Sequence, residues 1–180
     1  MIKKTGSLLE HWHLVHLFSI KENQEEHKEV LELIKHNQFD RNPANFYKSF
    51  LKVKHPKMVT PYGEEDFMKM KTYKVKGYDI GFALKPFNDK GYAEIVAVHN
   101  SEPEIHGVGP ALVDKAIEYG GKYLDHYDGF LTGLYTKGGF VEYDREPFNP
   151  EYDEDGSFRE LYGEPDIIYR HHKSVASPKK

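Results

Sequence analysis

The sequence predicts an α/β (α+β) fold in which a mixed, mainly antiparallel twisted sheet is flanked by helices. Three observations carry this. Helix-like apolar spacing dominates before residue 72. Period-two and β-branched runs joined by turn sequences take over from Tyr73 to Val98. From Gly91 to Phe140 a strand, a glycine turn, a helix and a second strand then follow in the order of a crossover. With 180 residues, 38% hydrophobic and 14% aromatic, the chain can bury one sizeable core. A single domain is therefore expected, with 1–72 as its N-terminal helical part, 73–170 as its core and 171–180 as a tail. The 13 Tyr and 11 Phe argue against disorder despite 30% charged residues.

In chain order, Leu8 to Ile20 mixes apolar residues with histidines and reads equally as a short strand or a helix. Glu22 to His36 carries Val30, Leu31, Leu33 and Ile34 among Glu and Lys, a first amphipathic helix that Asn37-Gln38-Phe39-Asp40 ends. Asn42-Pro43 is an N-cap and first-turn pair, and Phe46, Tyr47, Phe50 and Leu51 give the second helix its apolar face before Pro56. Pro61-Tyr62-Gly63 turns the chain into a short helix over Glu64 to Met70.

Alternation over Tyr73 to Tyr78, the apolar run Ile80 to Leu84, and Tyr92 to Val98 after an Asn88–Gly91 turn predict antiparallel hairpin strands. Gly109 to Tyr119 places Ala111, Leu112, Val113, Ala116 and Ile117 at helical spacing, with Pro110 near its start and Gly120-Gly121 closing it. Strands over Tyr123 to Tyr127, Phe140 to Tyr143 and Ile167 to Tyr169, a short helix over Gly129 to Lys137, and a frayed tail from Ser174 complete the reading.

Several chemistries are excluded or disfavoured. Cysteine is absent, which removes thiol nucleophiles, disulfides and thiolate metal sites. No Gly-x-Ser-x-Gly, Gly-Lys-Ser/Thr or His-Glu-x-x-His pattern occurs. The N-terminal apolar run is broken by Glu10, His11 and His13, unlike a signal peptide, and no stretch reaches membrane-spanning length, so a cytoplasmic protein without membrane contact is expected. His11, His13 and His16, with His171 and His172, lack a supporting carboxylate spacing, so no metal site is expected. Glu151 to Gly156 resembles half a calcium loop, but its twelfth position is Tyr162 rather than Glu. The net charge of −4 is uneven: lysines crowd residues 48–76 and acids crowd 142–166. Two solvated faces are the simplest reading, and nucleic acid is not the expected partner.

Glu104-Ile105-His106-Gly107-Val108-Gly109-Pro110-Ala111-Leu112 puts two glycines at the start of a helix, where unpaired backbone N–H groups and the helix dipole suit a bound anion. With Glu94-Ile95-Val96-Ala97-Val98 before it and Asp128-Gly129-Phe130-Leu131-Thr132-Gly133-Leu134-Tyr135 after it, the stretch resembles the acyl-CoA-binding half of the GCN5-related N-acetyltransferase superfamily. The similarity covers Tyr73 to Phe140 and extends more weakly to Tyr169. The tracts 120–125 and 162–166 also resemble acetyltransferase-like domains of bacteriophage proteins.

The resemblance implies acetyl-CoA as co-substrate and direct attack by an amine acceptor, a small molecule or a protein. It implies that Val96, Ala97 and Val98 pair with the pantetheine arm, that His106, Gly107, Val108, Gly109 and Ala111 wrap the pyrophosphate, and that Asp128 contacts the cofactor. It implies Glu94 as the base for the amine and Tyr135 as the acid for the thiolate; as bare residues the two read as a solvated strand carboxylate and an aromatic packed on Phe140. Three positions depart from the family pattern: Glu104 stands for Arg or Gln, Pro110 removes an amide donor, and Asp128 stands for Asn. These departures raise the alternative of an inactive protein-binding factor of the same fold, such as a phage-encoded effector or a virion-associated protein. An acidic lip from residues 142–166 would favour a cationic acceptor.

Overall fold

The computed structural model describes residues 24–178. The strand-or-helix segment Leu8–Ile20 and the His11, His13 and His16 group lie outside the described residues. Seven strands form one sheet: β1 (Phe39–Asp40), β2 (Lys71–Val75), β3 (Ile80–Leu84), β4 (Ala93–Asn100), β5 (Gly121–Tyr127), β6 (Phe140–Glu146) and β7 (Ile167–His172). Their spatial order is β1-β2-β3-β4-β5-β7-β6. Every neighbouring pair is antiparallel except β4 and β5. That parallel pair is joined by α4 (Gly109–Glu118), which is the crossover expected from residues 91–140. The architecture is the mixed, mostly antiparallel sheet flanked by helices that the sequence predicts.

Strand alternation divides the sheet into two faces. One face buries Phe82, Leu84, Ile95 and Leu124 under α4, under α1 (residues 24–35) through Val30 and Ile34, and under α5 (Thr132–Lys137) through Tyr135. The other face is covered over β2 to β4, where Phe46 and Phe50 of α2 (Pro43–Phe50) and Phe67 of α3 (Glu64–Met68) close on Ala83 and Val96. Over β5 the cover on this second face is at the strand's end, where the buried Phe158 ring packs 5.0 Å from Tyr127, and Asp125 is left open to solvent. The N-cap of α2 is as predicted: Asn42 Oδ1 accepts the N–H groups of Ala44 at 2.9 Å and Asn45 at 3.1 Å.

The structure departs from the sequence reading at several boundaries. Phe39–Asp40 is a short edge strand paired with β2, so residues 1–72 are not purely helical. Gly121 opens β5 rather than closing α4, because a Cβ there would lie 2.4 Å from Ile95 Cγ1; only glycine lets the two strands meet at this point. Helix α5 starts at Thr132, after a turn in which Thr132 Oγ accepts the Gly129 N–H at 3.0 Å. Strand β7 runs on to His172, which pairs with Phe140, so His171 and His172 belong to the sheet and not to a tail. Helix α6 (Ser157–Tyr162), which the sequence reading lacked, is capped by Asp153, whose carboxylate accepts the Phe158 and Arg159 N–H groups at 2.8 and 3.0 Å. Among the described residues, no helix is long and apolar enough to cross a membrane, and no group of His, Asp or Glu is placed to hold a metal ion.

Candidate functional site at the opening between β4 and β5

The parallel β4–β5 ladder contains two pairings, Ala93 with Gly121 and Glu94 with Tyr123. Beyond them β5 pairs only with β7 and β4 only with β3, so the two strands part into a wedge in the middle of the sheet. The Lys85 N–H donates to the Glu94 carbonyl at 3.0 Å, which turns the backbone groups of Glu94 toward β3. By alternation, those of Ile95 point into the wedge.

Strand β4 then carries a bulge: Ala83 pairs with Val96 and Gly81 with His99, so β4 has one residue more than β3 across this step. Ala97 takes up the extra length in a left-handed conformation, φ 52°. A buried pair holds it there. His99 donates from Nδ1 to the Ala97 carbonyl at 2.9 Å and accepts at Nε2 from the Ser49 hydroxyl at 2.8 Å, an assignment fixed because a carbonyl can only accept. Burial among Phe46 and Phe50 pushes the His99 pKa down to about 4, so the imidazole is neutral. With its carbonyl drawn to His99, the bulge is fixed at the edge of the wedge.

The glycine turn lies on the α4 side. Gly107 adopts φ 75°, Val108 is buried, and the first turn of α4 has no side-chain cap. Among the described residues none accepts a hydrogen bond from the N–H groups of Val108, Gly109 or Ala111. This is an uncapped helix start beside an open cleft, suited to anionic oxygen. His106 is exposed next to it, and a Cβ at Gly107 would sit 3.7 Å from His27 Nε2 of α1. Glu104 is exposed at the far end of the turn. Leu134 of α5 packs against Gly109, leaving 3.4 Å for a Cβ.

On the open face, Glu94 ion-pairs with Lys85 at 3.0 Å, and that ammonium lies over the Tyr62 ring. Although burial opposes it, the bond to Glu94 holds Lys85 above its ordinary pKa. Across the wedge, β5 presents Tyr123, Asp125 and Tyr127. Asp125 is exposed as a residue, yet partial desolvation by the surrounding chain raises its pKa against the lowering field of Lys85. Burial and then Asp125 raise the Tyr127 phenol; burial and then Glu94 raise Tyr143 of β6. Sequence reasoning missed Asp125, His99, Lys85 and Tyr62. The Tyr123-Leu124-Asp125-His126-Tyr127 alternation contained a signal for Asp125, whereas the Ser49–His99 pair spans 50 residues and leaves no local pattern.

The other expected site residues sit differently. Asp128 accepts from Thr132 Oγ at 2.9 Å and pairs with Arg145 at 2.9 Å, and these two partners hold its pKa low. Arg145 also binds Glu142 and Asp166, so Asp128 belongs to a clamp tying β5, β6 and the start of β7 together. Tyr135 is 4% exposed in the core, its ring against His126 at 5.1 Å and Phe140 at 6.2 Å, and burial raises its phenol far above the ordinary value.

No family model matches the chain, and no curated protein does. Among solved structures, that of N-acetylglutamate synthase from Neisseria gonorrhoeae, complexed with coenzyme A and L-arginine, is similar at 18% identity and a TM-score of 0.44, over 75% of this chain and 33% of that one. The chain spans a third of that protein's length, and a likeness this low assigns neither family nor activity.

Proposed function

We propose that this protein binds acyl-CoA in the β4–β5 wedge and transfers the acyl group to an amine. The observation that carries this reading is the coincidence of three features around one opening in the sheet: the parted parallel strands, the bulge fixed at Ala97, and the uncapped glycine turn of α4. A chain with amides of its own can lie along the free edge at Ile95–Val98 as an added strand would. The N–H groups of Val108, Gly109 and Ala111 suit a pyrophosphate. Acetyl-CoA supplies an activated thioester, and the protein's task is to orient it and manage the amine proton.

Two carboxylates flank the wedge on the open face, and we assign the proton to Asp125. Glu94 is already ion-paired with Lys85, whereas burial raises the proton affinity of Asp125. Glu94 then sets the position of Lys85 and the charge of the β4 side. Tyr135 acts as a wall under the cleft, its phenol neutral over the working pH range. Thr132 and Arg145 keep Asp128 in the clamp that fixes α5.

Calorimetric titration with acetyl-CoA tests the reading, using Gly107→Trp as the control. Micromolar binding is expected, weakened at least about tenfold in the variant, because an indole at φ 75° both strains the turn and covers it. A melt followed by circular dichroism checks that the variant folds. Absence of acetyl-CoA binding to the unmodified protein overturns the reading.

A further inference from the structure

Helices α4 and α5 run side by side in the same direction. A Cβ added at Gly109 would lie 3.4 Å from Leu134, and one added at Gly138 would lie 3.0 Å from Val113, so the contact advances by one turn on both helices together. Followed one turn back, the same register brings Phe130 level with Ile105, directly ahead of the glycine turn. The chain is already coiled there, since the Thr132 N–H donates to the Gly129 carbonyl at 3.1 Å and Leu131 has helical backbone angles. Phe130 therefore stands beside the start of α4, where the N–H groups of Val108, Gly109 and Ala111 suit a pyrophosphate.

Leu131, Leu134 and Tyr135 turn into the core, whereas Phe130 is 91% exposed and belongs to neither core cluster. A single exposed apolar side chain is ordinary, and its exposure alone assigns nothing. Its surroundings are more specific. Gly129 precedes it, and Gly133 lies three positions on, which is the same side of the coil. Both glycines are exposed, and a Cβ at either would meet nothing within 4 Å. The phenyl ring is thus bordered by bare backbone, and a flat group can lie on it. The charges nearby are carboxylates: Asp128, two residues back and held by Arg145, and Glu104, exposed next to Ile105. They disfavour a phosphate at the ring and leave room for an uncharged base.

We infer that Phe130 stacks on the adenine ring of the bound acyl-CoA. This rests on the acyl-transfer reading and extends it to the end of the cofactor opposite the thioester. The wedge takes the pantetheine arm and the glycine turn takes the pyrophosphate, so the nucleoside is the part left to lie on the surface beside that turn. Stacking needs no hydrogen-bond pattern on the base, so this contact adds affinity without reading the base edge.

Two probes separate the ends of the ligand by calorimetry: acetyl-CoA, and S-acetyl-4′-phosphopantetheine, which has the same arm and no nucleoside. Phe130→Ala is expected to weaken acetyl-CoA binding about tenfold and to leave that of acetyl-phosphopantetheine unchanged. Phe130→Trp is expected to keep the acetyl-CoA affinity, and acetyl-CoA should quench its added indole emission beyond any change that Trp12 shows in the unmodified protein. Melts followed by circular dichroism check that both variants fold. Full acetyl-CoA affinity in Phe130→Ala, an equal loss for both probes, or an unquenched Phe130→Trp at saturating acetyl-CoA overturns the inference. So does self-association that Phe130→Ala abolishes at unchanged acetyl-CoA affinity, which would make the ring a contact between copies of the chain. Failure of the acyl-transfer reading is distinct, because the unmodified protein then binds no acetyl-CoA.

Discussion

Lowering the pH should destabilise this protein through His99, by an amount the structure specifies. Both ring nitrogens are committed, Nδ1 to the Ala97 carbonyl and Nε2 to the Ser49 hydroxyl. A proton added at Nε2 must displace the Ser49 donor and charge a ring enclosed by Phe46 and Phe50. The ordinary pKa of 6.5 falls to about 4 in the folded state, chiefly through burial, with Asp79 opposing the fall and Lys74 adding to it. As pH drops below 6.5 the unfolded chain takes up this proton and the folded chain does not until about 4, so stability present above pH 6.5 is lost on the way down. Between pH 7.5 and 4.5 the loss amounts to about 2.5 kcal/mol. His99→Leu removes the titration but strands the Ser49 hydroxyl and the Ala97 carbonyl, at roughly 1–3 kcal/mol each. Urea unfolding of both proteins across this range isolates the effect. The advantage of the unmodified protein over the variant should shrink by about 2.5 kcal/mol as pH falls. An advantage that does not change with pH would refute the assignment of a neutral, buried His99 at the bulge.

Other expectations are simpler to read. Asn42→Ala should cost about 1 kcal/mol in urea unfolding by leaving the Ala44 and Asn45 N–H groups uncapped, with no effect on acetyl-CoA affinity. Asp125→Asn should lower the rate of acetyl transfer to an amine acceptor by roughly 10²- to 10⁴-fold while acetyl-CoA still binds, and Glu94→Gln should do less. Because burial raises the Asp125 pKa, the rate of the unmodified protein should rise with pH to a plateau entered above the ordinary carboxylate range, and this limb should vanish in Asp125→Asn.

Much of the fold could be read from residues that act locally. The Asn42-Pro43 cap, the alternation before Gly77 and the apolar spacing of α4 each declare one element through neighbours a few positions apart. What escaped the reading depends on distant partners. Phe39–Asp40 is a strand only because β2 offers it an edge, and His171 and His172 extend β7 only because β6 runs beside them. Helix α6 depends on Asp153, a carboxylate that sequence alone reads as part of an acidic run. At the site, the glycine turn was legible because its backbone conformation requires glycine at 107. The bulge was not, since nothing in Val96-Ala97-Val98 announces it and His99 and Ser49 that fix it are brought together by α2 packing on β4. The surroundings of Asp128 were hidden for the same reason: Arg145, seventeen residues on, pairs with its carboxylate.

The central claim is that acyl-CoA occupies the wedge, and amide chemical shifts recorded during an acetyl-CoA titration of isotope-labelled protein test it most directly. The account predicts that the largest perturbations fall on Ile95 to Val98 and on Val108 to Ala111, with smaller ones on Leu124 to Tyr127, and that the edge strands β1 and β6 stay unperturbed. Perturbations confined to other surfaces, or none at saturating acetyl-CoA, would contradict it.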